Sequence, residues 1–217
     1  MKKIKTKLLR IGAAPDYEDF TAYTEVDIPA DRLSITETRI TVTGLLDDED
    51  VRVHDDKGVD HFNEDFEHLV TVRASDTYGK FLGVWALTND ELCSYPLETG
   101  NKAHLIVLFW NSLDTPLIYL REFYDSSSNQ QSYGCSENTT YYLRIKRDEA
   151  IGDFGRLYCD IYTSEADRTN EENAVANLQV DLRAKLDFRY VYGMTGWNFT
   201  AATNAKSAYI ENLSLQE

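Results

Sequence analysis

Apolar and polar residues alternate along most of this chain. Leu33 and Ile35 alternate with Ser34 and Thr36, and Ile40 and Val42 alternate with Thr41 and Thr43. A period of two predicts strands with one buried and one solvated face, here a pair joined by a short turn near Glu37 and Thr38. The pattern recurs at Phe66, His68, Val70 and Val72, then at Tyr141, Leu143 and Ile145, and at Leu157, Cys159 and Ile161. It returns at Leu178, Val180 and Leu182, and at Phe188, Tyr190 and Tyr192. Most of these runs have the length of an ordinary strand and end in Gly, Asn, Asp or Ser.

Two stretches, 80–88 and 103–110, are apolar at nearly every position, which predicts strands covered on both faces and assigns Trp85 and Trp110 to the core. The best helical candidate, Ser164 to Leu178, reads equally as a polar connection. With the first residues and the closing stretch, the total is about eleven or twelve strands, as two packed antiparallel sheets accommodate. No repeat of 20–50 residues is visible, which disfavours propellers and solenoids. The fold class is all-β.

Composition supports this reading. The 217 residues are about one large sandwich domain, 42% hydrophobic and 12% aromatic. A net charge of −15 repels phosphate backbones and anionic membranes, so no nucleic-acid partner is expected. The charge is uneven. The first ten residues hold Lys2, Lys3, Lys5, Lys7 and Arg10 and none of the 37 acids. Lys3, Lys5 and Lys7 read as the solvent face of a first strand, or the segment is an assembly arm that docks on an acidic neighbour, another copy included. It lacks the apolar run of a secretory signal, and nowhere do ~18 apolar residues follow one another as membrane insertion requires.

Cys93, Cys135 and Cys159 are odd in number and lack C-x-x-C spacing, which excludes a neat disulfide framework and a cysteine zinc site. Cys159 reads as a buried thiol. A Cys93–Cys135 bridge is left open.

Six stretches, 19–27, 53–70, 139–149, 155–169, 187–193 and 208–215, resemble in order and spacing the concanavalin A-like (laminin-G-like) jelly-roll domains frequent in phage and environmental viral sequences. The resemblance implies one jelly-roll sandwich over residues 20–217, with 1–19 as a basic arm or first strand. It also implies that residues 208–215 pair with the early strands and bring the ends together. A virion or comparable extracellular surface is the implied location, after synthesis in the cytoplasm, with a virion scaffold or further copies of the chain as partners. Fold does not fix activity.

Catalytic chemistry finds little support. Sandwich glucanases resemble one another in a Glu-x-Asp-x-x-Glu strand, whereas Glu25, Asp27 and Ala30 here lack the proton donor and Pro29 interrupts the ladder. Asp65 and Glu67 share a strand face, the usual mark of a solvated face in an acidic chain. A glycoside hydrolase or lyase with an atypical carboxylate site is the alternative. No catalytic residue is assigned, since nucleophile signatures and Gly-rich phosphate loops are missing. Asp55, Asp56 and Asp60, in an acidic stretch read as a loop, are candidate calcium ligands for a second alternative, a calcium-dependent lectin. His54, His61 and His68, seven apart, do not form a zinc triad; His68 is expected to be half-buried and satisfied.

Carbohydrate recognition needs exposed aromatics beside a few placed polar groups. Trp197 and Asn198, in a Gly/Thr-rich connection over 193–204, and Tyr133, in a polar stretch over 129–138, are the candidates. The expected function is a non-catalytic module that binds glycans, decorates an assembly, or both.

Overall fold

A computed structural model describes residues 15–28, 31–46, 49–75, 81–91, 104–112, 115–185, 188–197 and 206–216. The basic segment Lys2, Lys3, Lys5, Lys7 and Arg10 lies outside them, as do Cys93 and Asn198.

Fourteen strands lie within the described residues, and they form two antiparallel sheets of seven. The first sheet contains β1 (Thr24–Ile28), β4 (Asp50–Asp56), β6 (Phe81–Thr88), β7 (His104–Ser112), β8 (Thr115–Tyr124), β9 (Ser127–Gly134) and β13 (Tyr190–Trp197). Their spatial order is β1-β4-β13-β6-β7-β8-β9. The second contains β2 (Leu33–Ile35), β3 (Arg39–Leu45), β5 (Phe66–Ala74), β10 (Tyr141–Asp148), β11 (Arg156–Tyr162), β12 (Ala176–Asp181) and β14 (Lys206–Gln216). These run β12-β11-β10-β5-β14-β3-β2.

The alternation in the sequence becomes the core between the sheets. Tyr141, Leu143 and Ile145 of β10 and Leu157, Cys159 and Ile161 of β11 face inward with Val70 and Val72 of β5, all 2% exposed or less. From the first sheet they meet Val51, Val53, Leu87, Val107, Leu120, Val191 and Met194, each fully buried. The last strand lies between β5 and β3, and the Glu18 N–H donates to the Leu213 carbonyl at 2.8 Å. The early and late parts of the chain are therefore paired, as the resemblance implied.

Three stretches differ from their sequence reading. Residues 50–56, read within an acidic loop, are β4, because Val51 and Val53 alternate inward beneath the polar residues. Residues 127–134 are also a strand. Their Ser, Asn and Gln hide the period, yet Asp125 (φ 48°) and Ser126 (φ 60°) form the left-handed two-residue turn that matches hairpin twist. Residues 193–197 continue β13 rather than open a loop. Gly193 is there for space: a Cβ would sit 2.7 Å from Ile40 Cδ1 and 3.0 Å from Phe20 Cε1. The helical candidate over 164–178 supplies α1 (Glu165–Asn170), capped by Ser164, and then a connection into β12, the strand read at Leu178 and Val180.

One side of the sandwich is stitched shut. Gln131 of β9 accepts from the Gln179 N–H of β12 at 2.9 Å, and Asn129 donates to the Asp181 carbonyl at 2.9 Å. Arg183 joins Glu122, at 2.6 Å, to Ser127. Edge strands offer unpaired backbone groups to other chains, and these side chains occupy part of that edge. Among the described residues no helix is long and apolar enough to cross a membrane.

Candidate functional site

Opposed residues in an antiparallel sheet share a face. The register of the first sheet therefore lays Thr24, His54, Tyr192, Ala86, Ile106, Arg121 and Gln130 abreast across all seven strands. A neighbouring row runs from Asp56 through Tyr190, Thr88, His104 and Phe123 to Ser128. On the other side a third row joins Val26, Arg52, Thr195, Gly83, Leu108, Tyr119 and Ser132. These rows form the outward face.

Its floor is apolar. Ala86, Ile106, Leu108 and Tyr192 form a second buried cluster, separate from the core between the sheets, with Trp110, Tyr119 and Tyr190 half-buried against it. This cluster is why β6 and β7 read as apolar on both faces. Gly83 keeps the floor close-packed, since a Cβ there would lie 2.6 Å from Thr195 Cγ2 and 2.8 Å from Ile106 Cδ1. Trp110, expected in the core, belongs instead to this outward face, its ring 6.0 Å from that of Tyr119. Period two gives it away: Phe109 faces the core, so Trp110 cannot.

Polar groups stand on this floor. His54, 5% exposed, stacks on Tyr192 with centroids 5.0 Å apart and meets Tyr190 edge-on at 6.4 Å. Burial lowers its pKa, against the pull of Glu91, and favours the neutral ring. Its Nε2 faces Glu91 Oε1 at 3.7 Å, while its buried Nδ1 has no partner. Tyr192 donates its hydroxyl to the Glu91 carbonyl. Arg52 approaches Asp50 at 3.5 Å, and its buried Nε has no partner; burial raises the Asp50 carboxyl despite Arg52. Further along, His104 stacks on Phe123 at 5.2 Å, and Arg121 lies 5.2 Å from the same ring.

The residues singled out from sequence are only partly gathered here. Tyr133 faces the core side of β9, opposite Ile118, with its ring edge-on to Tyr141 at 6.3 Å. Trp197 closes β13, its Cα opposite Asp50 and Phe81, in the row next to that of Arg52. Asp55 and Asp56 are successive residues of a strand and point to opposite sides. Lys57 holds Asp55 at 2.8 Å; Arg189 holds Asp56 from both oxygens, which lowers that carboxyl. Asp60 pairs with Asn63 in the following turn. Among the described residues no group of three or more His, Cys, Asp or Glu is arranged to hold a metal ion. Asp65 accepts the Glu149 N–H at 2.7 Å, and Glu67 pairs with Arg144 at 2.8 Å. Cys135 is a half-buried thiol among the described residues, which do not include Cys93.

His68 is fully buried rather than half-buried. It accepts from Trp85 Nε1 at 3.1 Å, and burial lowers its pKa to about 3.

No family model and no curated protein matches the chain. Solved structures do. A legume lectin-like domain from Entamoeba histolytica aligns with a TM-score of 0.61 at 15% identity, over 90% of this chain and 89% of that one. The fold is the legume lectin-like, concanavalin A-like jelly roll. The carbohydrate recognition domain of Emp47p aligns with a TM-score of 0.58 at 16% identity, over 93% and 94% of the two chains. An alginate lyase from Pseudomonas aeruginosa aligns at 0.52 and 12%, over 87% and 86%. The lectin-like fold is thus shared by binding domains and enzymes, and at these identities the likeness concerns the fold alone.

Proposed function

We propose that this protein is a non-catalytic carbohydrate-binding module and that the outward face of the first sheet is its binding surface. One observation carries the reading: half-buried Tyr190, Trp110 and Tyr119 border an apolar floor on which His54 Nδ1 and Arg52 Nε are unpartnered. Aromatic faces take the apolar side of a sugar, and buried polar atoms without partners favour a ligand that supplies hydroxyls. The lectin-like and carbohydrate-recognition neighbours agree with it. The setting we propose is the surface of a virus particle or a comparable assembly, with other copies or a scaffold protein as partners; the sequence resemblance supports that part.

The test is titration of the purified full chain with a panel of oligosaccharides, followed by tryptophan fluorescence and calorimetry. Tyr190→Ala and Trp110→Ala are expected to weaken binding at least tenfold, and Tyr133→Ala to leave it within twofold. Retention of full affinity by both face variants would remove this face from the reading. Loss of binding on chelation would favour the calcium-dependent lectin.

A second reading, a lyase, draws on one feature. A neutral His54 whose Nδ1 has no partner, set between two tyrosines, has the form of a proton acceptor. Release of unsaturated products absorbing near the ultraviolet edge, lost in His54→Ala, would replace the non-catalytic reading with this one.

A further inference from the structure

We infer that the glycan bound on this face is an acidic one, its carboxylate received by Arg52 and a ring hydroxyl by His54. The inference rests on the binding reading above and adds the ligand's chemical class.

Charge is the first ground. The chain carries 37 acidic residues against 22 basic ones, yet the central rows of this face set Arg52 and Arg121, beside a neutral His54, against Asp50 and Glu91. At the end of the face, Asp56 is already held by Arg189. A face whose charges balance, on a strongly anionic body, repels an anion less than the rest of the surface does.

Incomplete pairing is the second. The Arg52 side chain is 11% exposed, and its approach to Asp50 is 3.5 Å, longer than an ordinary charged hydrogen bond. Its Nε, buried, donates to nothing. A guanidinium this little exposed whose ion pair is long gains from a ligand that completes it, and a carboxylate matches the planar fork on two atoms. The outward face of the other sheet shows the contrast. There Arg144 also leaves a buried Nε without a partner, yet its Nη2 has both Glu67, at 2.8 Å, and Glu171, at 2.9 Å.

Spacing is the third. Arg52 and His54 are two residues apart on one strand, about 7 Å, so one sugar unit reaches both. With Nε2 toward Glu91, the His54 proton sits there and Nδ1 accepts from a hydroxyl. Arg121 lies four strands away in the His54 row, about 19 Å along the sheet, a span that suits several linked units rather than one.

The experiment compares α-1,4-linked galacturonate and β-1,4-linked glucuronate hexamers with the same oligomers after carboxyl reduction, all titrated into the full chain. At least one acidic oligomer is expected to bind ten times more tightly than its reduced form, and the difference should shrink in 0.5 M salt. Arg52→Gln should abolish that preference, while Arg52→Lys, which keeps the charge, should retain part of it; thermal midpoints confirm that both variants fold. Equal affinity for acidic and reduced oligomers, or an unchanged preference in Arg52→Gln, overturns the inference and leaves the binding reading standing. If neutral glycans of other linkages bind and no acidic one does, the inference likewise falls alone. If no glycan of any kind binds, both fall.

Discussion

On the outward face of the second sheet, Lys146 reaches Asp160 at 3.0 Å, Arg156 binds Asp181, Arg39 binds Glu211, and Arg144 lies between Glu67 and Glu171. On the outward face of the first sheet, aromatic rings and a buried apolar floor surround His54, whose buried Nδ1 no partner meets, and Arg52, whose pairing with Asp50 is 3.5 Å long. Both faces belong to strands of similar length in one chain. A ladder of paired charges is what a solvated sheet face carries when it needs no partner. Buried polar atoms left unmatched on an apolar floor cost stability, and such sites persist where they serve something other than stability. The difference teaches which side of this sandwich to probe.

The comparison can be broken first through acid. His68 lies between the two sheets, and its pKa is lowered to about 3 by burial, below the unfolded value of 6.5. For a base with a depressed pKa, the unfolded chain takes up the proton first. This contribution to stability is present above pH 6.5 and is lost as pH falls toward 3, by about 1.4 kcal/mol per pH unit. His54 shifts in the same direction and adds to the loss. Urea unfolding midpoints between pH 7 and pH 4 should fall, and His68→Gln should flatten the dependence. A profile unaltered in that variant would place the acid sensitivity elsewhere, on His54 and the first sheet.

Arg168 comes next. It is 2% exposed, donates to the Val70 carbonyl at 3.2 Å and lies 5.5 Å from the centroid of the Tyr142 ring. Arg168→Ala should destabilise by about 2–3 kcal/mol in urea unfolding, because a buried carbonyl loses its donor, and leave glycan affinity alone. Arg144→Ala, which leaves Glu67 and Glu171 facing each other, should cost about 1–2 kcal/mol, again without a change in affinity. The smallest effect belongs to Arg39→Ala. Its pair with Glu211 is exposed, and about 0.5 kcal/mol is expected. Were any of the three to weaken binding while a variant of the first sheet's face did not, the assignment of the two faces would reverse.

Much of the architecture was legible because burial is written at period two. Leu143, Ile145, Leu157, Cys159 and Ile161 were read as inward-facing and are. What escaped the reading had specific causes. β9 lacks an apolar period because its side chains serve edge contacts, such as Gln131 to Gln179. Gly193 reads as a loop signal, whereas it yields room to Ile40, Ile210 and Phe20. The polar neighbours of Tyr133 suggest a ligand contact, yet strand geometry directs it to the core side. Asp55, Asp56 and Asp60 looked like a ligand set by proximity in sequence, and each is engaged separately by Lys57, Arg189 or Asn63.

By itself the sequence determined that this chain folds as sheets with a greasy interior, because alternation is a local property that each strand states alone. Only the tertiary structure decided that His54, Tyr192, Ala86, Ile106 and Arg121 stand in one row, since they come from five strands whose neighbours are set by register and crossover. A binding face is a sum over distant strands, and no window along the chain contains it.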